Sequence, residues 1–206
     1  MNNIFDKACD YATKKHKGQY RKDGSFYILH PFEVAVIAST MTNDEEVLSA
    51  AILHDVLEEC NVDISEITNL FGKRVSKLVA LETEPKYLGI SKEKSWPLRK
   101  MEAIRRLNTT DDIGFKIIYL SDKLSNIRSL YNDYLHNGIR AFDKFNISDI
   151  NVQAWYYYSV LNELSELSNY TAYSEYKYLI DIIFKEYGRK KEDGEKNYII
   201  QKNRFI

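Results

Sequence analysis

The run Ala51-Ile52-Leu53-His54-Asp55-Val56-Leu57-Glu58-Glu59 passes from apolar side chains to a histidine and three carboxylates. Just upstream, Thr42-Asn43-Asp44-Glu45-Glu46 supplies capping side chains and negative charge for a helix N-terminus. The pattern predicts one helix from there to about Glu59, with Ala50, Ala51, Ile52 and Leu53 turned inward and His54-Asp55 ending that apolar face. Helical spacing then sets Glu58 one turn beyond His54 and Glu59 one turn beyond Asp55. An imidazole beside a carboxylate suits a divalent ion such as Mn²⁺, Fe²⁺ or Zn²⁺. Carboxylates one turn away could orient or deprotonate a water at such an ion. By itself a His-Asp dipeptide is common and identifies nothing.

Outward from this helix, only 8 glycines and 3 prolines interrupt 206 residues, and strand-like alternation is scarce. The expected fold class is all-α, a compact multi-helix bundle. Helices are predicted over about Ile4 to Lys17 and from Pro31, at N1, to about Met41. Further helical pieces run from Asp63 to Leu70, ended by Gly72, and from Lys73 to about Leu81. Others cover about Pro97 to Leu107, Gly114 to about Leu135, and Ser148 to about Tyr187 with a break near Asn169. Gly18 to Ser25 reads as a loop, and Glu82 to Ser95 as an irregular polar stretch. Residues 1–187 are expected to form one domain, followed by a charged C-terminal tail at 188–206 in which Tyr198-Ile199-Ile200 is a docking segment.

The charges nearly cancel, 29 positive against 30 negative, for a net charge of -1. That excludes the strongly basic character of a nucleic-acid-binding domain, but it leaves room for a small basic pocket around one phosphorylated ligand. Met1 to Asp6 has no basic and apolar leader pattern, and the apolar runs are too short to span a bilayer. A cytoplasmic chain without membrane partners is expected, with Cys9 and Cys60 as free thiols. Oligomeric state is not legible.

Three more segments carry ligand chemistry. In Tyr27-Ile28-Leu29-His30-Pro31, proline puts His30 next to a helix N-terminus, within reach of the His54-Asp55 face. In Leu120-Ser121-Asp122-Lys123-Leu124-Ser125-Asn126-Ile127-Arg128, Asp122 and Asn126 share one face, while Leu120, Leu124 and Ile127 mark the buried side. In Arg21-Lys22-Asp23-Gly24, two adjacent cations on a glycine-containing loop suit phosphate oxygens. Taken singly, each also reads as an ordinary capping histidine or solvated polar surface.

Together and in this order, these runs, with His16 to Tyr20 and Phe71-Gly72, resemble the hydrolase domain of RelA/SpoT proteins and the small alarmone hydrolases. The resemblance spans roughly residues 4 to 135. It implies the HD-domain fold, with His30, His54, Asp55 and Asp122 holding one Mn²⁺. It further implies that Arg21 and Lys22 contact the nucleotide or its phosphates and that Asn126 contacts the sugar-phosphate. The implied reaction is hydrolysis of the 3′-pyrophosphate of guanosine tetra- or pentaphosphate, releasing pyrophosphate and GDP or GTP. A phosphorylated purine nucleotide is thus the expected partner. The family's acidic pair after the His-Asp dipeptide is Glu-Asp; here it is Glu58-Glu59, so the second acid is one methylene longer. The end of the chain at Ile206 leads to the expectation of no synthetase activity.

Two other readings remain open: an HD phosphohydrolase acting on another nucleotide or dinucleotide phosphate, and a non-catalytic nucleotide-sensing module. His136, Arg99, Lys100 and most of Trp155-Tyr156-Tyr157-Tyr158 are expected to be solvated or packed rather than functional.

Overall fold

The structure is a computed structural model that describes residues 3–185 and 187. The tail assigned to 188–206, with Tyr198-Ile199-Ile200, lies outside the described residues. The described chain is all-α; its one β-type pairing is an isolated bridge between Tyr20 and Phe26. Residues up to 84, with 110–125, form one compact unit, and 85–109, with those from 126 onward, form a second.

In the first unit, helix α1 (Ile4–Lys15) is capped by Asn3, whose side chain accepts the Asp6 amide at 2.7 Å. It closes two residues before the expected Lys17, at His16, whose amide bonds the Ala12 carbonyl. Ala8 and Ala12, one turn apart, are both fully buried, and their small side chains let α1 approach α3 (Glu45–Leu53) closely. Helix α2 (Leu29–Ser39) begins earlier than predicted, so Pro31 is its third residue rather than its first. Proline is tolerated there because first-turn amides have no partner within the helix. Val34, Ala35, Ile37 and Ala38 of α2 are buried, and this helix also packs on α3.

Helix α3 is the centre of this unit. Asp44 caps it by accepting the Glu46 and Val47 amides, and Ala50, Ala51, Ile52 and Leu53 are fully buried. It packs against α1, α2 and α5 (Ile64–Glu82), which explains why its apolar residues occupy consecutive positions. The predicted single helix to Glu59 is corrected by the structure. Helix α3 ends at Leu53, His54-Asp55 form a turn, and α4 (Val56–Glu59) starts afresh. The cause is local. The Ala51 carbonyl, which a continuing helix would offer to the Asp55 amide, accepts the His54 ring N–H at 2.9 Å. Asp55 relaxes to φ -94°, ψ -4°.

Helix α5 bears out the two-piece reading around Gly72. Asp63 caps it, and Gly72 interrupts it at φ 87°, ψ 171°. Helix α7 (Ile113–Asn137) follows α6 (Lys92–Thr109) in the chain. Up to residue 125, α7 belongs to the first unit, with Phe115, Ile118, Leu120 and Leu124 fully buried.

In the second unit, α6 begins five residues before the predicted Pro97, which therefore lies inside the helix. The Ser95 amide and hydroxyl both bond the Ser91 carbonyl and hold the earlier turn. The break expected near Asn169 is present between α8 (Ile150–Glu163) and α9 (Thr171–Phe184). Trp155, Tyr156 and Tyr157 are buried, and Tyr157 packs 5.4 Å from Phe184 and 6.3 Å from Tyr176, so the aromatic cluster is core. No described helix is long and apolar enough to cross a membrane.

The Gly72 backbone lies in a region essentially reserved for glycine. Gly72→Ala should destabilise the protein by about 1–3 kcal/mol, although the added methyl meets no atom within 4 Å. Urea unfolding checks this, and an unchanged midpoint would show that the kink can be removed without cost.

Candidate metal centre

Three elements of the first unit converge. Helix α2 brings His30 in its first turn, the α3–α4 turn brings His54 and Asp55, and α7 brings Asp122. In a regular helix, neighbouring side chains diverge by about 100°. Even so, Asp55 Oδ2 lies 3.2 Å from His54 Nε2. His30, His54 and Asp122 are all buried, and one ligand atom from each lies within 4.8 Å of the others. Asp122 Oδ1 is 3.1 Å from His30 Nε2 and 3.8 Å from His54 Nε2. Asp55 stands on the more open side, 3.7 Å from His30 Nε2, and its Oδ2 accepts the Tyr27 hydroxyl at 2.7 Å.

Hydrogen bonding sets the tautomer of both rings. The Ser125 hydroxyl donates its one proton to Glu33 Oε2 at 2.7 Å, so toward His30 Nδ1, 2.8 Å away, it accepts. His54 Nδ1 faces the Ala51 carbonyl, which can only accept. Both rings therefore carry a proton on Nδ1, and in their neutral forms both present an Nε2 lone pair to the Asp122 carboxylate. His54 Nε2 is buried without a hydrogen-bond partner, and the nearest carboxylate oxygen, on Asp55, is 3.2 Å away. Two lone pairs and two carboxylates facing one another need a cation between them. Nitrogen and oxygen donors without a thiolate suit a divalent metal, so the residues present fit one.

The electrostatics agree. Burial disfavours a charged His54 ring, but the Asp55 and Asp122 carboxylates outweigh it and push its pKa up to about 10. Burial likewise opposes ionisation of Asp55, yet His54 and His30 hold its carboxyl well below the usual range. Asp122 is held low against its own burial by Lys123 and the two rings. The two carboxylates thus favour positive charge at this position.

Of the predicted acids, Glu58 is half-buried and Glu59 is exposed. Burial pushes Glu58 up to about 7; the Glu84 amide it accepts opposes the rise, and the Asp55 and Glu84 charges add to it. The Glu59 carbonyl accepts from the Gln19 side chain at 2.8 Å. In the preceding loop, Arg21 is half-buried and Lys22 exposed. The Arg21 amide bonds the Ser25 carbonyl at 2.9 Å, and Gly24 at φ 85° closes the turn. Arg21 is near enough to Tyr27 for its charge to act on the phenol. Asn126 is half-buried one turn past Asp122 on α7 and is grouped with the second unit.

Sequence reading missed the supporting groups. Glu33 stands three residues after His30, and Ser125 three after Asp122, a spacing that puts each beside its ligand on one helix face. Tyr27 stacks on His16, ring centroids 4.9 Å apart, and the His16 Nδ1 atom faces Gln19 at 2.7 Å. Nothing in the one-dimensional pattern signals that stack. Glu82, expected in an irregular stretch, is instead the buried last residue of α5.

His54→Ala and Asp122→Ala should lose the divalent ion while keeping helical circular dichroism. Ser125→Ala should keep the ion with roughly ten- to hundredfold lower affinity, because His30 loses the partner that orients it. Metal content after gel filtration tests the first pair and titration tests the third; full metal content in both alanine ligand variants would dismiss the site.

The HD domain profile matches residues 8–143. Among curated proteins, "GTP pyrophosphokinase rsh" of Brucella melitensis is 35% identical over 127 residues, 62% of this chain and 17% of that protein. "Guanosine-3′,5′-bis(diphosphate) 3′-pyrophosphohydrolase" of Aquifex aeolicus is also 35% identical over 127 residues, 62% of this chain and 18% of that protein. The chain thus covers less than a fifth of the length of either relative. A solved structure described as a metazoan ortholog of SpoT that hydrolyzes ppGpp aligns with a TM-score of 0.68 at 26% identity, covering 90% of this chain and 96% of that one.

Proposed function

The chain belongs to the HD domain family, and from that premise we propose that it hydrolyses the 3′-pyrophosphate of guanosine tetra- or pentaphosphate, releasing pyrophosphate and GDP or GTP. The observation that carries this reading is the pair of Nε2 lone pairs aimed at Asp122 in a chain similar to a named 3′-pyrophosphohydrolase. His30, His54, Asp122 and Asp55 would hold one Mn²⁺. When bound, such an ion lowers the pKa of water and offsets negative charge at phosphorus.

The protein's own groups do the rest. Arg21 and Lys22 hold the phosphates and Asn126 the sugar-phosphate, each by hydrogen bonds from charged or amide donors. Glu58 takes the proton of the attacking water. One of its oxygens accepts the Glu84 amide, which fixes the carboxylate and leaves the other oxygen for the proton. A pKa of about 7 suits that task, because the carboxylate is then available near neutral pH and basic enough to accept. As water adds to the phosphorus bonded to the 3′-oxygen, that P–O bond breaks and pyrophosphate departs with the water's oxygen. The 3′-oxygen takes a proton from solvent to become the hydroxyl, and Glu58 returns its proton to solvent. Glu59, exposed, assists from the rim. We take residues 1–187 as the working domain and the cytoplasm as its compartment, where a phosphorylated guanine nucleotide is available as substrate.

A nucleotide panel with Mn²⁺, scored for pyrophosphate against orthophosphate, tests the reading. Pyrophosphate from guanosine alarmones is the expected product, and orthophosphate alone would contradict it. Glu58→Gln should retain metal and lose about 10²–10⁴-fold in turnover, while Glu59→Asp should be neutral or faster. Wild-type kcat/KM should fall about tenfold per pH unit below about 7, as Glu58 becomes protonated. A Glu58→Gln enzyme with near-normal turnover would remove the assignment.

A further inference from the structure

Asp122 and Lys123 are adjacent on α7, and neighbouring residues on a helix do not face each other. Yet the Lys123 ammonium contacts Asp122 Oδ2. Two groups turn it back. The Tyr119 ring, one turn earlier, lies 4.5 Å beneath the ammonium, and Glu82 Oε1, at the end of α5, is 3.8 Å away. All three charged side chains are largely withdrawn from water: Glu82 and Asp122 are 5% exposed and Lys123 is 13% exposed.

This arrangement divides the work of the Asp122 carboxylate. Oδ2 goes to Lys123, so Oδ1 is the oxygen left facing His30 and His54. An ammonium so close would by itself neutralise Asp122 and repel a divalent cation. Glu82 Oε1 faces the ammonium from the other side. Its Oε2 is buried without a hydrogen-bond partner, a costly arrangement for a carboxylate unless positive charge elsewhere compensates it.

We propose that Glu82 is a positioning residue for the metal centre: acting through Lys123, it fixes Asp122 with Oδ1 toward the histidines. The inference rests on the metal-site reading above. Glu82 itself touches neither the ion nor the substrate.

Glu82→Gln keeps the shape and removes the charge, and a buried amide is easier to fold than a buried carboxylate. Glu82→Asp keeps the charge on a shorter arm. Mn²⁺ affinity, read from the spin-resonance signal of free Mn²⁺, should weaken roughly ten- to hundredfold in Glu82→Gln and less in Glu82→Asp. At saturating Mn²⁺ the turnover of Glu82→Gln should return close to wild type, because only loading is impaired. A residue that merely packs would lower the melting temperature of the metal-free protein and leave Mn²⁺ affinity unchanged. Affinity within twofold of wild type, or turnover that stays lost at saturating Mn²⁺, overturns the proposal. A wild-type protein that fails to bind Mn²⁺ overturns the metal-site reading and this inference with it.

Discussion

Two imidazole lone pairs aimed at one carboxylate oxygen form the constraint on which the rest of this protein depends. The arrangement is repulsive unless a positive charge sits among them. The protein spends hydrogen bonds to keep it: Ser125 and Glu33 hold one ring, and the Ala51 carbonyl holds the other. The Asp55 and Asp122 carboxylates favour positive charge at His54, and a divalent ion would answer the constraint with two nitrogens and two carboxylates as donors.

The scaffold follows from that requirement. Helix α3 is enclosed by α1, α2 and α5, so its end is a fixed point from which His54 and Asp55 project. The turn there restarts the chain as α4 and carries Glu58 into a half-buried position where burial and neighbouring charge raise its pKa toward neutrality.

Much of this was legible in the sequence. Apolar spacing marked the helices, Gly72 marked the α5 kink, and the ordered His30, His54-Asp55 and Asp122 segments pointed to one cluster, which the fold assembles. The turn at His54-Asp55 was not legible, because periodicity measures where apolar residues recur and cannot see a ring competing for a backbone carbonyl. Pro97 misled for a related reason: proline marks a helix start in most contexts, but here Ser91 begins the helix earlier. Glu82 was hidden because a glutamate at a helix end reads as solvated until the fold encloses it beside Lys123.

The central claim is that both rings hold their proton on Nδ1 and offer Nε2 to a cation. Nitrogen-15 spectra of the histidine rings near pH 7, recorded without metal and with one equivalent of diamagnetic Zn²⁺, test it most directly. The account predicts a charged His54 ring in the metal-free protein. With Zn²⁺, it predicts neutral His30 and His54 rings, each with its proton on Nδ1 and a coordinated Nε2. Spectra that do not change on adding Zn²⁺, or a proton found on Nε2 of either ring once Zn²⁺ is bound, would contradict it.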